Sequence, residues 1–168
     1  MKKSLLGLSC LLVLAGMAHA DDLQITKTAQ EAGIKSCLPT IQDMEKFFGE
    51  DNSYGSWSFW SKENPNKALF SVSIEIDFTD GMHLVDLTVA PTADGMCAYS
   101  YTRTWHSPKS CMAVAQEDFL KGYTYKTELN KKIGSFAKGD IKVFLMPAGD
   151  GCVVQKKEFD VSYKKQGS

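Results

Sequence analysis

The sequence is poor in the residues and motifs that build catalytic and metal centres. It contains only three histidines, and it has no C-x-x-C pair, no H-E-x-x-H motif, no glycine-rich phosphate loop and no calcium-binding loop. These absences argue against thiol redox catalysis, a zinc or calcium site and nucleotide chemistry. We therefore expect no cofactor and no metal, and the composition favours a protein that is not an enzyme.

Only one long apolar segment is present, and it lies at the N-terminus. Two lysines precede an apolar run at residues 5–17, and residues 18–20 (Ala-His-Ala) form a small-x-small cleavage site. This order is typical of a secretory signal peptide, which is too short and wrongly flanked to span a membrane. We predict a cleaved signal peptide at residues 1–20 and a single domain at 21–168. The expected location is periplasmic, or secreted, with no transmembrane segment after cleavage.

Four cysteines remain after residue 20, an even number that suits an oxidising compartment. We predict two disulfides among Cys37, Cys97, Cys111 and Cys152. A Cys97–Cys111 bridge is disfavoured, because a strand after Cys97 spans roughly 28 Å while the following helical residues return only about 5 Å. Disulfides require Cα atoms within about 7 Å. Of the two remaining pairings, we prefer Cys37–Cys97 with Cys111–Cys152 over Cys37–Cys111 with Cys97–Cys152.

The hydrophobic pattern predicts an α+β fold. An apolar stripe at three- and four-residue steps predicts a helix that ends at Gly49 and either begins at Pro39 or is kinked there. Ser107-Pro108 predicts the start of a second helix over Lys109–Asp118. Alternating residues predict strands at 54–61, 70–78, 83–89, 96–105, 122–128, 141–146 and 152–159. We expect an antiparallel β-meander with the two helices packed on one face, stabilised by disulfides.

Charge is divided unevenly along the chain. Residues 21–120 carry 7 basic and 15 acidic side chains, whereas residues 121–168 carry 10 lysines and 5 acidic side chains. The lysines either protect exposed strands from edge-to-edge pairing or steer the approach of a partner. The acidic balance of the exported chain argues against nucleic acid as a partner.

One cysteine–histidine pair is compatible with nucleophilic catalysis. His106 precedes Cys111 by five residues, and a helix N-terminus at Cys111 would stabilise a thiolate. An oxidised Cys111 is the simpler interpretation, since a free thiol would leave an odd number of cysteines. His83 and Asp86 do not converge, because strand positions three apart point to opposite faces.

Aromatic side chains and one arginine are the strongest candidates for a binding surface. These candidates are Trp57, Trp60, Tyr101, Arg103 and Trp105. Trp, Tyr and Arg dominate protein interfaces, flat rings also stack on sugars, and arginine can make internal cation–π contacts. Most of the rings are expected in the core. Trp60 is the expected exposed ring, because its strand parity is opposite to that of Trp57 and Phe59.

These observations favour a non-catalytic periplasmic binding protein of the inhibitor, immunity or assembly-accessory type, which acts through contact with a protein partner. Two alternatives stay open. One is a small secreted hydrolase that uses His106 and Cys111, and the other is a glycan- or peptidoglycan-binding module that uses an exposed tryptophan. The pattern determines neither the partner nor the oligomeric state.

Overall fold

The computed structural model describes residues 23–49 and 52–162. Eight antiparallel strands form one sheet in the order β1-β2-β3-β4-β8-β7-β6-β5. The strands are β1 (Tyr54–Trp60), β2 (Phe70–Phe78), β3 (Gly81–Pro91), β4 (Cys97–Ser107), β5 (Thr124–Leu129), β6 (Ile133–Lys138), β7 (Ile141–Ala148) and β8 (Gly151–Ser162). The helices are α1 (Gln24–Glu31), α2 (Leu38–Gly49) and α3 (Cys111–Val114), and a 3₁₀ turn follows at Asp118–Leu120.

The sheet consists of two four-stranded meanders joined side by side. Strands β1 to β4 follow one another along the chain, and the segment with α3 then carries the chain to the far edge at β5. The second meander returns from there, so that β8 pairs with β4 along its length. This central pairing makes one continuous sheet from two halves that are separate in sequence.

Each half of the sheet has its own hydrophobic cluster on the face that carries the helices. The first cluster packs α1 and α2 against β2 to β4, with Ile25, Ile41, Ile74 and Leu87 nearly inaccessible to water. The second cluster packs α3 and the 3₁₀ turn against β7 and β8. Alternation along the strands leaves the opposite face without a helical cover in the described chain, and we call it the open face.

A buried carboxylate joins the two N-terminal helices. Glu45 of α2 is 1% exposed, and its oxygens accept hydrogen bonds from the backbone N–H groups of Ile25 and Thr26, each at 2.7 Å. These donors belong to the first turn of α1, where backbone N–H groups have no intrahelical partner. The hydroxyl of Tyr54 on β1 donates to the same carboxylate at 2.6 Å. Glu45 therefore fastens α1, α2 and β1 together.

The two disulfides are Cys37–Cys97 and Cys111–Cys152, with Cα atoms 5.7 and 5.0 Å apart. The absence of a Cys97–Cys111 bond agrees with the spacing argument, and this is the pairing that we preferred of the two that remained. The first disulfide ties the start of α2 to β4, and the second ties α3 to β8. Each hydrophobic cluster therefore contains one disulfide. Among the helices of the described chain, none has the length and apolar character needed to cross a membrane.

The expected α+β class needs a correction, because the protein is mostly β. The second predicted helix, Lys109–Asp118, is reduced to the four residues of α3 and the 3₁₀ turn, while α1 and β6 were not expected. Strand β8 also extends to Ser162, past the predicted strand end at residue 159, and it joins the two meanders. The predicted signal peptide and the last polar residues, 163–168, lie outside the described residues.

Candidate functional site

A cleft on the helix-bearing face lies where β4 and β8 meet the segment that follows α3. It has a volume of about 280 Å³, and we call it the arginine cleft. Its lining includes Asp80, Arg103, Trp105, Phe119, Tyr123 and Lys156. Tyr101 belongs to the first hydrophobic cluster and Trp105 packs against the second. Arg103 lies between them on the same face of β4, so the cleft marks the boundary between the two clusters.

The Arg103 side chain is held in place by aromatic rings and one histidine. Its guanidinium carbon lies 4.0 Å from the centre of the Phe78 ring and 5.4 Å from the Trp105 ring. Its Nε–H donates to Nδ1 of His83 at 2.7 Å. Contacts of this kind orient a guanidinium without neutralising it. The terminal N–H groups of Arg103 therefore keep their capacity to bind an acceptor.

His83 supports the arginine from the sheet core. It is 1% exposed, and its ring stacks on Trp105 at 5.1 Å with an interplanar angle of 7°. Because Nδ1 accepts from Arg103, the imidazole is neutral and its proton is on Nε2. Nε2 lies 3.3 Å from Oδ1 of Asp80, although the direction is too poor for a hydrogen bond within the described chain. Burial, with Arg103 as the next cause, lowers the pKa of His83 below its ordinary value of 6.5.

Acid should weaken the fold through His83. As the pH falls below about 6.5, the unfolded chain takes up a proton at this position that the folded chain resists, so the free energy of unfolding decreases by up to about 1.4 kcal/mol per pH unit. Above that pH, His83 contributes no pH dependence. Urea unfolding at pH 7.5, 6.5 and 5.5 measures the effect. His83→Gln should have a flatter profile than the wild type, and an equal flattening in the exposed-site control His106→Gln would contradict this assignment.

Charges in the arginine cleft are only partly paired. Glu117 is engaged by Lys109, with Nζ and Oε1 2.8 Å apart, and Lys156 approaches Glu158 at 3.7 Å. Arg103 forms no ion pair with any described carboxylate within 4 Å. Within the described residues, the basic side chain that lies within 4 Å of the Asp80 carboxylate is His83, whose imidazole is neutral. The cleft therefore presents one cation and one anion without counter-ions from the described chain.

A cross-strand pairing adds to this imbalance. Arg103 on β4 lies directly opposite Lys156 on β8. Like charges at directly opposite positions destabilise a sheet, because their side chains lie close together on one face. An anion bound between the two side chains would relieve this repulsion. The pair therefore marks one end of the cleft as suited to a negatively charged group.

A second candidate surface lies on the edge strand β1. The side chains of Trp57 and Phe59 are 72% and 54% exposed on the open face, and we call these two residues the aromatic edge. Their register partners on β2 are Ser73 and Ser71, whose small side chains leave both rings uncovered. Trp60 has the opposite parity and packs against the first hydrophobic cluster. The exposed tryptophan is therefore Trp57, and the expectation that it would be Trp60 was wrong.

Other sequence candidates have structural surroundings that limit their roles. Tyr101 is 3% exposed, and its hydroxyl donates to Oε2 of Glu158 at 2.7 Å. Burial, followed by this bond, raises the pKa of Tyr101, so the hydroxyl stays protonated. Cys111 is bonded to Cys152 and His106 is exposed on the open face, so the proposed nucleophile has no free thiol. Within residues 23–49 and 52–162, no acidic, histidine and cysteine side chains cluster as a metal site.

The pairing of His83 with Arg103 was missed by sequence reasoning. The sequence contains one indication of this pairing, which is the alternation along the two strands. His83 lies on the same face of β3 as Val85, and Arg103, which is opposite Val85, lies on the same face of β4 as Trp105. Only the register that places these strands side by side brings the two polar groups together. Comparison with protein-family models, curated proteins and solved structures found no match to this chain.

Proposed function

We propose that this chain is a non-catalytic binding protein of the periplasm, exported by a cleaved signal peptide, that captures a protein partner along the edge strand β1. The observation that carries the proposal is the exposure of two large aromatic rings on an uncharged edge strand. The partner would add an extended segment as a further strand, with its backbone bonded to β1 and its apolar side chains against Trp57 and Phe59. The two disulfides suit this oxidising location.

The two edges of the sheet differ in how well they can accept another strand. Strand β1 pairs with β2 through seven consecutive positions without a shift in register, and it contains no charged residue. The opposite edge, β5, contains Lys126 and Glu128, and its register shifts between Tyr125 and Thr127. Charges and bulges are the features by which natural sheets discourage edge pairing. The absence of charges and bulges from β1 supports the proposal that a further strand pairs with this edge.

Charge favours a basic partner segment. The open face beside β1 presents Glu75 and Asp77 on β2, with Asp86 on the next strand, and all three are exposed. A segment with lysine or arginine on alternate positions would meet these carboxylates. Such complementarity accelerates encounter, so the association rate should fall as salt rises.

Trp57→Ala tests the proposal. An exposed aromatic anchor at an interface contributes about 2 kcal/mol or more, so the variant should release the partner roughly 30-fold faster. The fold should be preserved, because substitution of an exposed side chain changes stability by about 0.5 kcal/mol or less. Immobilised protein first captures the partner from periplasmic extract. The purified partner is then assayed for its dissociation rate from wild type and variant.

Met112→Ala is the matched control, since Met112 is 79% exposed on α3, away from β1. Hydrogen exchange supplies an independent measurement, because the amides of β1 should be protected when the partner adds a strand. Equal dissociation from wild type and Trp57→Ala, or unchanged exchange in β1, would refute the proposal. Capture of peptidoglycan fragments that depends on Trp57, without a protein, would support the glycan-binding alternative instead.

A further inference from the structure

We propose that the arginine cleft is a binding site for a small zwitterion of the amino-acid class with an apolar side chain. The ligand carboxylate would bind the terminal N–H groups of Arg103 beside Lys156, and its ammonium group would face Asp80. Its side chain would lie against the rings of Trp105, Phe119 and Tyr123. This site is separate from the aromatic edge, so the proposal does not depend on the protein-binding function.

Two charged groups of the cleft, Arg103 and Asp80, lack counter-ions within the described chain. Arg103 is oriented through Nε by His83, which leaves its two terminal nitrogens for a bidentate carboxylate. Burial lowers the pKa of Arg103 and the nearby Asp80 opposes that shift, yet the two groups form no ion pair within 4 Å. A molecule that carries both charges can satisfy each of them. A simple anion would leave Asp80 unpaired, and a simple cation would leave Arg103 and Lys156 facing each other.

The position of Asp80 is set by a tight turn. Residues 79–80 connect β2 to β3, and Gly81 adopts a φ of +128°, which a residue with a side chain rarely adopts. The turn holds the Asp80 carboxylate at the mouth of the cleft, where its side chain is 64% exposed. An exposed carboxylate remains accessible to an incoming ammonium group.

The size and the apolar lining of the cleft suit a small ligand with an apolar side chain. A volume of about 280 Å³ lies just below the range of about 300–1,000 Å³ that is usual for pockets of drug-sized ligands, so the cleft suits a smaller molecule. Phe119 packs edge-on against Trp105 with ring centres 5.6 Å apart, and it remains 39% exposed. These two rings form an apolar wall beside the charged groups. An aromatic or aliphatic side chain would cover that wall.

Three related probes separate the charges of the ligand. L-phenylalanine carries both charges, N-acetyl-L-phenylalanine carries only the carboxylate, and L-phenylalaninamide carries only the ammonium group. Calorimetric titration of the full protein should show binding of L-phenylalanine, and each single-charge analogue should bind about tenfold more weakly or worse. L-leucine is titrated in parallel as an aliphatic probe.

Two variants assign the charges to residues. Asp80→Asn should reduce the affinity for L-phenylalanine to that of N-acetyl-L-phenylalanine and leave the N-acetyl probe unaffected. Arg103→Gln should reduce the affinity for L-phenylalanine to that of L-phenylalaninamide and leave the amide probe unaffected. Asp150→Asn is the matched control, because Asp150 also precedes a glycine in an exposed hairpin turn and does not line the cleft.

Three results would overturn the proposal. The first is the absence of binding for both phenylalanine and leucine at millimolar concentration in folded wild-type protein. The second is equal affinity for L-phenylalanine and its N-acetyl form, which would identify an isolated carboxylate, such as a chain end, as the ligand. The third is the same loss in Asp150→Asn as in Asp80→Asn. None of these results bears on Trp57 or the edge strand, so the two proposals fail separately.

Discussion

Loss of both disulfides should leave the folded state of this protein marginal. Cys37 and Cys97 are 60 residues apart, and Cys111 and Cys152 are 41 residues apart. Closing loops of these lengths restricts the unfolded chain and stabilises the fold by about 4 kcal/mol for each disulfide. Domains of ordinary size have a total stability of about 5–15 kcal/mol. Reduction of both bonds should therefore remove most of the free energy of unfolding.

Thermal unfolding with and without reductant measures this loss. Two double variants, Cys37→Ser with Cys97→Ser and Cys111→Ser with Cys152→Ser, separate the contributions. Each pair should lower the melting temperature by ~10 °C or more. The second pair should also speed hydrogen exchange in β7 and β8 before β2 and β3, because each disulfide lies in one hydrophobic cluster. A melting temperature that full reduction leaves unchanged would mean that the cysteines do not stabilise the fold.

Glu45→Ala should be a severely destabilising single substitution, with an expected loss of about 2–5 kcal/mol in the free energy of unfolding. The carboxylate accepts four hydrogen bonds, including one from the Thr26 hydroxyl at 2.5 Å. Its removal leaves the first-turn N–H groups of α1 buried without acceptors, and each costs about 1–3 kcal/mol. It also removes a negative charge from the positive end of the helix dipole.

Urea unfolding of Glu45→Ala and Asp43→Ala provides the comparison. Asp43 is on the same helix but exposed, so its replacement should change the free energy of unfolding by about 0.5 kcal/mol or less. Glu45→Gln should fall between them, because one acceptor oxygen remains while the new NH₂ group opposes a donor. If the Glu45→Ala loss were no larger than the Asp43→Ala loss, the carboxylate would not be what holds α1 in place.

The strands with regular alternation were predictable, and the short helix and the last strands were not. Residues 70–78 alternate apolar and polar side chains without interruption, and the structure has β2 over that range. Pro108 suggested a longer helix than α3, which has only one turn. The local sequence pattern does not show where the chain must leave the helix in order to pack against β7 and β8, to which the Cys111–Cys152 bond ties it. Strand β6 contains Gly134 and small side chains, which weaken its pattern.

The candidate sites were predictable as residue types and not as arrangements. The alternation of side chains along the strand correctly placed Trp57 and Phe59 on one face of β1 and Trp60 on the other. Alternation alone does not show which face of an edge strand is turned toward the core. Packing of Trp60 against the first cluster decided that question. Arg103 was identified as a candidate from its aromatic neighbours in sequence. Its partner His83 comes from another strand, and its opposing cation Lys156 is more than fifty residues away in the chain.

The sequence by itself determined the local features of this protein: an even set of four cysteines, the alternating strands, the amphipathic helix that ends at Gly49 and the absence of recognisable catalytic motifs. These features depend on residues that are neighbours in the chain, so their periodicity is visible there. The tertiary structure alone decided that β8 pairs with β4, that Glu45 caps a helix about twenty residues earlier, and that Arg103 and Asp80 share a cleft. Each of these depends on register between distant segments, and register is set when buried faces pack together.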